Sequence, residues 1–389
     1  MTGVFGDVLS QHARAERIDR PESETFLTLR LNGNGAVRRK IGEGKTPLAF
    51  SGYRVSAGQF IYSRIDARNG AFAVVPKELD GAVVSKDFPV FTIDHSRVDP
   101  RYLLGFVTTA NFVDGIKRLS FGATNRQRVK EEIFLHLPLV LPPLEEQRRI
   151  AAILDKADEL RTNRHQALAH LDTLTHSIFH SMFGDPVHAD GQTALSELLT
   201  SIESGKSPVC EDRPALPDEW GVLKLSAVTR QVFDDSQHKA LVAAEPDDRH
   251  EVRPGDLLFT RKNTPELVAA VALVRSTRPK LLLPDLIFRL RIADQAVLTP
   301  AYLHAVLANP RQRSVVQGLA GGAAASMSNI SKSKLMTVRI PVPPIEHQRT
   351  FAARIAAVER LKEAHRKHLS ELDTLFASLQ HRAFKEELR

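Results

Sequence analysis

The sequence predicts an α+β protein built twice on one plan: a mixed α/β globule followed by a single long helix, then a second globule and a second long helix. Three observations carry this. A proline pair ahead of a long apolar-periodic stretch occurs as Leu141-Pro142-Pro143-Leu144 and again as Val342-Pro343-Pro344-Ile345. The two stretches that follow match each other in register without a gap. The segments ahead of them share a fainter order of glycine turn, short strand, helix start and Ser/Gly-rich loop. A repeat on this scale governs the reading of everything else.

The bulk properties set the frame. At 389 residues the chain is too long for one ordinary compact domain. Its 42% hydrophobic and 25% charged content is that of a soluble globular protein. No run approaches the roughly 18 apolar residues that a membrane helix needs. The opening MTGVFGDVLSQHARAERIDR lacks a basic start followed by an apolar core, so no secretory signal is expected. Cys210 is the single cysteine, which excludes an internal disulfide and a cysteine zinc site; a reducing cytoplasm fits. The net charge of +7 favours partners with phosphate backbones, although solubility alone also accounts for such a charge.

In chain order, the first globule covers 1–141, the first long helix 142–185, the second globule 186–342 and the second long helix 343–389. Within the globules VSAGQFIYSRIDARNG (55–70) aligns with VRPGDLLFTRKNTPEL (252–267): Gly58 meets Gly255, Tyr62 meets Phe259 and Arg64 meets Arg261. Each reads as a glycine turn entering a short strand that ends at arginine. Pro100-Arg101-Tyr102-Leu103 and Pro300-Ala301-Tyr302-Leu303 read as matching helix starts. The loops LSFGATNRQRVK and LAGGAAASMSNISKSK follow, each leading through a short strand to the proline pair.

Each proline pair stops what precedes it and opens a helix, because proline is tolerated in a first turn and disfavours helical geometry in the residue before it. Glu145 and Glu146 then lie where the helix dipole favours negative charge. Held at a constant offset, Glu145, Gln147 and Arg148 fall on Glu346, Gln348 and Arg349. Leu171-Asp172-Thr173-Leu174 falls on Leu372-Asp373-Thr374-Leu375, and Ser177, His180 and Phe183 fall on Ser378, His381 and Phe384. Chance helices share apolar spacing but not LDTL in register. About 40 residues at about 1.5 Å each make a rod of about 60 Å. Its apolar stripe needs a partner, and the nearest is its own copy, packed as a coiled coil. The expected packing residues are Ile150, Leu154, Leu168, Leu171 and Leu174 in the first helix, and Phe351, Ile355, Leu369, Leu372 and Leu375 in the second. His176 and His180 have a metal-compatible spacing, but Ala377 stands opposite His176 in the repeat and no further ligand completes a set; no metal is expected.

At PPLEEQRRIAAILD and PPIEHQRTFAARIA the chain resembles the specificity subunit of type I restriction–modification systems, and the resemblance covers the order of both halves. LPDEWGVLKLSAV (216–228), with Trp220, is similar to the usual opening of that family's recognition domain, and IESGKSP (202–208) to a short stretch near it. The first half departs: it has no tryptophan, and only Phe5-Gly6-Asp7-Val8 is similar to that opening. His347 and Thr350 replace the Glu and Arg typical of the second helix. The resemblance implies two α/β target recognition domains separated by two long antiparallel helices in a coiled coil. Each domain would read one half of a split double-stranded DNA sequence. It implies no catalytic centre and no cofactor in this subunit. It also implies two partner modification subunits that methylate adenine with S-adenosylmethionine and, where they exist, two restriction subunits.

The residues offer candidate DNA contacts. Arg64, Arg68 and Asn69 follow the first glycine strand, and Arg261, Lys262 and Asn263 the second. Arginine can grip guanine and asparagine adenine. Because Arg64 and Arg261 hold equivalent places in domains expected to read different sequences, phosphate positioning suits them better. A plain surface loop explains any single one of them equally well. Denser clusters follow: Asn125, Arg126, Arg128 and Lys130 in the first Ser/Gly loop; Ser326, Ser328, Asn329, Ser331, Lys332 and Lys334 in the second. Arg38, Arg39, Lys40 and Lys45 add a basic stretch. Aromatic content of 6% argues against stacking platforms for single strands.

Enzyme readings fail on spacing. Gly44-Lys45-Thr46 and Gly205-Lys206-Ser207 resemble the end of a phosphate loop, but Arg39 and Thr200 stand where its first glycine belongs. Neither proline pair has the polar residue before it and the aromatic after it that an adenine methylase tetrapeptide needs. The remaining alternatives are a protein scaffold, which the basic loops disfavour, and the equivalent subunit of a related two-component methylating system without a separate motor.

Overall fold

The structure, a computed structural model, describes residues 2–11, 15–41, 48–119, 128–242, 245–321 and 327–384. It divides into two compact units, one of residues 1–166 with 366–389, the other of 167–365. The long helices are Leu144–Phe183 and Ile345–Phe384. Each unit therefore combines a globule with the start of the helix that follows it and the end of the other helix.

In the first unit an antiparallel sheet runs in the order Leu9–Gln11, Val90–Ile93, Phe60–Tyr62, Phe72–Val74. Helices Pro100–Val107 and Ala110–Arg118 pack beside it; Asp99 caps the first through the amides of Arg101 and Tyr102, and Thr109 caps the second through Phe112. Short helix Glu131–Leu135 brings Phe134 into the core, 4.7 Å from Phe5 and 4.6 Å from Tyr62 between ring centroids. Phe5, Phe60, Phe72 and Phe91 complete a buried aromatic cluster, each side chain stabilising by about 2 kcal/mol. A three-stranded sheet, Glu16–Ile18, Phe50–Arg54 and Val83–Ser85, and the hairpin Leu27–Leu29 with Ala36–Arg38 form the outer part.

The second unit repeats the plan. Its sheet order is Leu199–Ser204, Ile287–Ile292, Leu257–Thr260, Val271–Leu273, followed by helices Pro300–Ala308, Pro310–Gly318 and Lys332–Met336. Gly58 at φ +84° and Gly255 at φ +94° make the same turn, their amides donating to the carbonyls of Val75 and Val274; the conformation is one that glycine alone adopts freely. One equivalence differs from the sequence expectation. The short turn Phe5–Asp7 follows a ribbon of Thr2–Val4 with Pro138–Val140, and helix Leu195–Leu198 follows the same ribbon of Gln192–Ala194 with Arg339–Pro341. Phe5-Gly6-Asp7-Val8 thus corresponds to Leu195–Leu198, not to the stretch around Trp220. Trp220 precedes Gly221–Leu223 in a separate sheet with His238–Leu241, Cys210–Glu211 and Leu281–Leu282. Local likeness around an aromatic misled; the register of the ribbon is the stronger guide.

The motif behind the proline pair has a structural purpose. Gln147 is fully buried: its Oε1 accepts from the Asp99 amide at 2.9 Å, and its Nε2 donates to the carbonyls of Arg97 at 3.0 Å and Pro142 at 2.9 Å. Gln348 repeats all three bonds, with the Thr299 amide at 2.8 Å and the carbonyls of Val297 and Pro343, both at 2.9 Å. Tyr102 and Tyr302 add matching hydroxyl bonds to the carbonyls of Val140 and Pro341. Each helix is thereby locked to its globule at the N-terminal turn of the globule's own capped helix.

Within each unit the two helix segments run antiparallel. In the first, Arg161 pairs with Asp158 and Asp373 and lies 4.6 Å from the Phe376 ring centroid. In the second, Lys362 pairs with Glu359 and Asp172, and Phe183 and Phe179 pack on Phe351 at 5.4 and 5.8 Å. The triads are equivalent under the repeat, and they explain LDTL: its aspartate holds the cation of the opposing helix.

These cations also correct part of the expected packing. Ile150, Leu154 and Leu171 are buried, as are Phe351 and Ile355, while Leu168, Leu369 and Leu372 are half-buried. Ile150, Leu154, Phe351 and Ile355 join the cores of their globules rather than serving only helix pairing. Leu174 and Leu375 are 41% and 48% exposed. Alternating steps of three and four lead from Leu171 to Thr175 and from Leu372 to Phe376, passing the leucines by one residue.

His304 stands where the first unit has Leu104. Burial, aided by the charge of Arg275, pushes its pKa down to about 4 from 6.5. A base depressed in the fold costs stability as pH falls below its unfolded value. At about 1.4 kcal/mol per pH unit, roughly 1–2 kcal/mol is lost between pH 6.5 and 5. His304→Leu is expected to remove that loss, read as equal urea midpoints at the two pH values where the wild type shows a drop.

Candidate nucleic-acid interface

In the second unit, strand Leu257–Thr260 ends at Arg261. The Arg261 amide donates to the Leu286 carbonyl and its carbonyl accepts from Ile330 at 2.8 Å. That bond brings two sequence-distant loops together: Lys262 pairs with Asn329 and Asn263 with Ser328 in a short antiparallel ribbon. The Arg261 guanidinium and the Lys332 ammonium lie 5.5 and 5.6 Å from the Phe288 ring centroid, within cation–π range. Arg261 Nε and Asn329 Oδ1 are buried without a hydrogen bond, a state that normally has a reason. Lys334 is turned to structure, its Nζ donating to the Leu319 carbonyl at 2.8 Å. Asn263 holds its own turn, accepting from the Thr264 amide at 2.9 Å. Lys332 is exposed and Lys262 half-buried.

The first unit builds the same backbone crossing. The Arg64 amide donates to the Asp87 carbonyl and its carbonyl accepts from Val129 at 2.9 Å. The chemistry differs: Arg64 is half-buried and paired with Glu131, and its Nε has no hydrogen bond. Asn69 donates to Asp66 at 3.1 Å, and its carbonyl takes the Asn32 amide at 2.8 Å; Arg68 is half-buried and engaged. Arg128, half-exposed and 3.1 Å from Asp87, and exposed Lys130 remain as the accessible cations beside the crossing. Asn125, Arg126, Lys45 and Ser326 lie outside the described residues. Of the basic stretch, Arg38 ends the hairpin strand Ala36–Arg38 and is exposed.

The glycine-lysine-serine decoy resolves as packing. A Cβ on Gly205 would sit 1.6 Å from the Leu283 carbonyl oxygen, so only glycine fits, and Ser207 hydrogen-bonds Asp285. Gly44-Lys45-Thr46 lies outside the described residues. Among the described residues no group of three or more His, Cys, Asp or Glu side chains is placed to hold a metal, and no helix is long and apolar enough to cross a membrane.

Residues 30–171 match the family model of the type I restriction modification DNA specificity domain. The chain is 31% identical to the EcoEI specificity subunit of Escherichia coli over 39% of its own length and 25% of that protein. It is 24% identical to the EcoKI specificity subunit of Escherichia coli (strain K12) over 74% of its length and 65% of that protein. The chain is therefore similar to the type I restriction specificity subunits, most specifically over residues 30–171.

The chain thus spans a quarter of one of these relatives and about two thirds of the other. Solved structures agree on the fold. The type I restriction-modification system S subunit from M. genitalium matches with a TM-score of 0.57 at 12% identity, over 99% of this chain and 96% of that one. A chain solved in work on complex assembly and conformational transition of the type I R-M system matches with a TM-score of 0.55 at 20% identity, over 100% and 98%. The sequence reading missed Arg278. It donates to the carbonyls of Ala215, Leu216, Pro217 and Glu219 and so fixes the loop before Trp220. It also missed Arg289, which is buried and paired with Glu203 and Asp256. Both act on partners distant in sequence, and no local pattern announces them.

Proposed function

We propose that this chain reads a bipartite, asymmetric sequence in double-stranded DNA, one unit per half, as the non-catalytic subunit of a cytoplasmic methylating complex. The observation that carries the reading is the duplicated crossing. One backbone frame presents Arg128 and Lys130 in the first unit and Lys262 and Lys332 in the second. A duplicated frame gives two half-sites, as two-fold readers do with two copies, and the different side chains on it give unlike halves. Cations beside small residues suit the approach to a phosphate backbone, and the buried, unbonded Arg261 Nε and Asn329 Oδ1 are groups a bound partner could satisfy.

On this reading the modification subunits, with their S-adenosylmethionine, and any restriction subunits are recruited by the long helices. Each unit leaves two leucines of these helices uncovered: Leu160 and Leu375 in the first, Leu174 and Leu361 in the second, all 41–49% exposed. They are the expected apolar contacts. The helices set the unread gap. Selection from randomised duplexes, using the chain with its co-purifying partners, is expected to return two unlike short motifs at a fixed spacing. Adding about four residues, roughly one helical turn, to both helices is expected to change that spacing and leave the motifs intact. A pool without any motif would refute the proposal.

A further inference from the structure

The second unit contains a cavity of about 280 Å³ between helix Pro300–Ala308 and its two long-helix segments. Thr175, Phe179, Phe351 and Ile355 supply its apolar walls, and Arg230 and Arg275 line it from the globule. The repeat shows why it is there. Thr175 occupies the place that Phe376 holds in the first unit. There the Phe376 ring packs against the Arg161 guanidinium, and Gln380, the counterpart of Phe179, donates to the Gly105 carbonyl and to Thr108 Oγ1. In the second unit the seam cation is Lys362, held by Asp172 at 2.9 Å, Glu359 at 3.0 Å and Thr175 Oγ1 at 3.5 Å, with no cation–π contact to it among the described residues. The helix pairing is the same and a ring-sized volume is missing. Interiors are close-packed, and an unfilled volume of this kind normally costs stability.

The charge at the cavity is equally uneven. Asp172 and Glu359, its two carboxylates, are both engaged by Lys362. Arg230 and Arg275 are exposed and have no acidic partner among the described residues. Guanidinium groups bind carboxylate and phosphate through paired hydrogen bonds, and buried Phe179 and Phe351 give the cavity an aromatic lining. We propose that this cavity binds a small planar aromatic anion, its ring filling the space of the absent phenylalanine and its carboxylate or phosphate facing Arg230 and Arg275. The size suits one compact ligand; larger ligand pockets run to roughly 1,000 Å³.

The test is ligand-observed NMR and calorimetry on the full chain with benzoate, phenyl phosphate and adenosine monophosphate, and with inorganic phosphate as the ringless control. Saturable binding of at least one aromatic probe at millimolar concentration is expected, with inorganic phosphate at least about tenfold weaker. Thr175→Phe, which copies the first unit, is expected to abolish binding and raise the unfolding temperature. Arg275→Gln, an exposed change, is expected to weaken binding about tenfold with unfolding unchanged, and it serves should Thr175→Phe misfold. Absence of binding by all three aromatic probes, equal binding of inorganic phosphate, or binding that survives either substitution overturns the proposal. DNA selection is independent of these readouts, so this site and the DNA reading can fail separately.

Discussion

Replacing Gln348 with alanine is expected to destabilise the second unit by about 3–5 kcal/mol, and Gln147→Ala the first by a similar amount. Each substitution removes three hydrogen bonds and leaves one amide and two carbonyls without their partner where the glutamine was fully buried. A buried polar group stripped of its partner costs about 1–3 kcal/mol. Glutamate is no substitute, since a carboxylate would face two carbonyl oxygens. Glu346→Ala, which removes only an exposed pair with Arg349, is expected to cost less than about 1 kcal/mol. Urea unfolding of the four proteins checks this. A loss near that of Glu346→Ala for either glutamine would mean that the helix is not anchored through it.

Alanine at Lys262 and Lys332 together is expected to weaken DNA binding about a hundredfold at physiological salt. The slope of log affinity against log salt is expected to fall by about 2, close to one unit for each lost phosphate contact. Arg128→Ala with Lys130→Ala is expected to have a smaller effect on affinity, because Arg128 already shares its charge with Asp87. Each pair is expected to disturb only its own half-site. An unchanged salt slope would place the phosphate contacts elsewhere.

The legible part of this fold was its repetition. The proline pair, the glutamine four residues later and LDTL recur in register, and each proved to mark a contact made twice: a helix stop, a buried clamp, and an aspartate that holds a cation. What was hidden depends on partners far along the chain. Leucines at 160, 174, 361 and 375 look like seam residues because apolar spacing alone favours them. The seam instead passes through Arg161 and Lys362, charges tolerated there because Asp373 and Asp172 arrive from the other helix. Among the candidate site residues, the alignment of Arg64 with Arg261 held in the backbone. Yet the sequence could not show that Glu131 engages Arg64 or that a ribbon joins Lys262 to Asn329. Phe5 was matched to the wrong place because an aromatic-glycine pair is a weak marker, whereas a ribbon register is set by many hydrogen bonds at once.

The central claim is that each unit reads its own half of the target. The measurement that tests it most directly is selection from randomised duplexes run in parallel on the wild-type complex, the Arg128→Ala/Lys130→Ala variant and the Lys262→Ala/Lys332→Ala variant. The account predicts a split motif for the wild type and, for each variant, degradation of one half, a different half in the two cases. Equal degradation of both halves by either variant, or a wild-type pool with a single undivided motif, would contradict it.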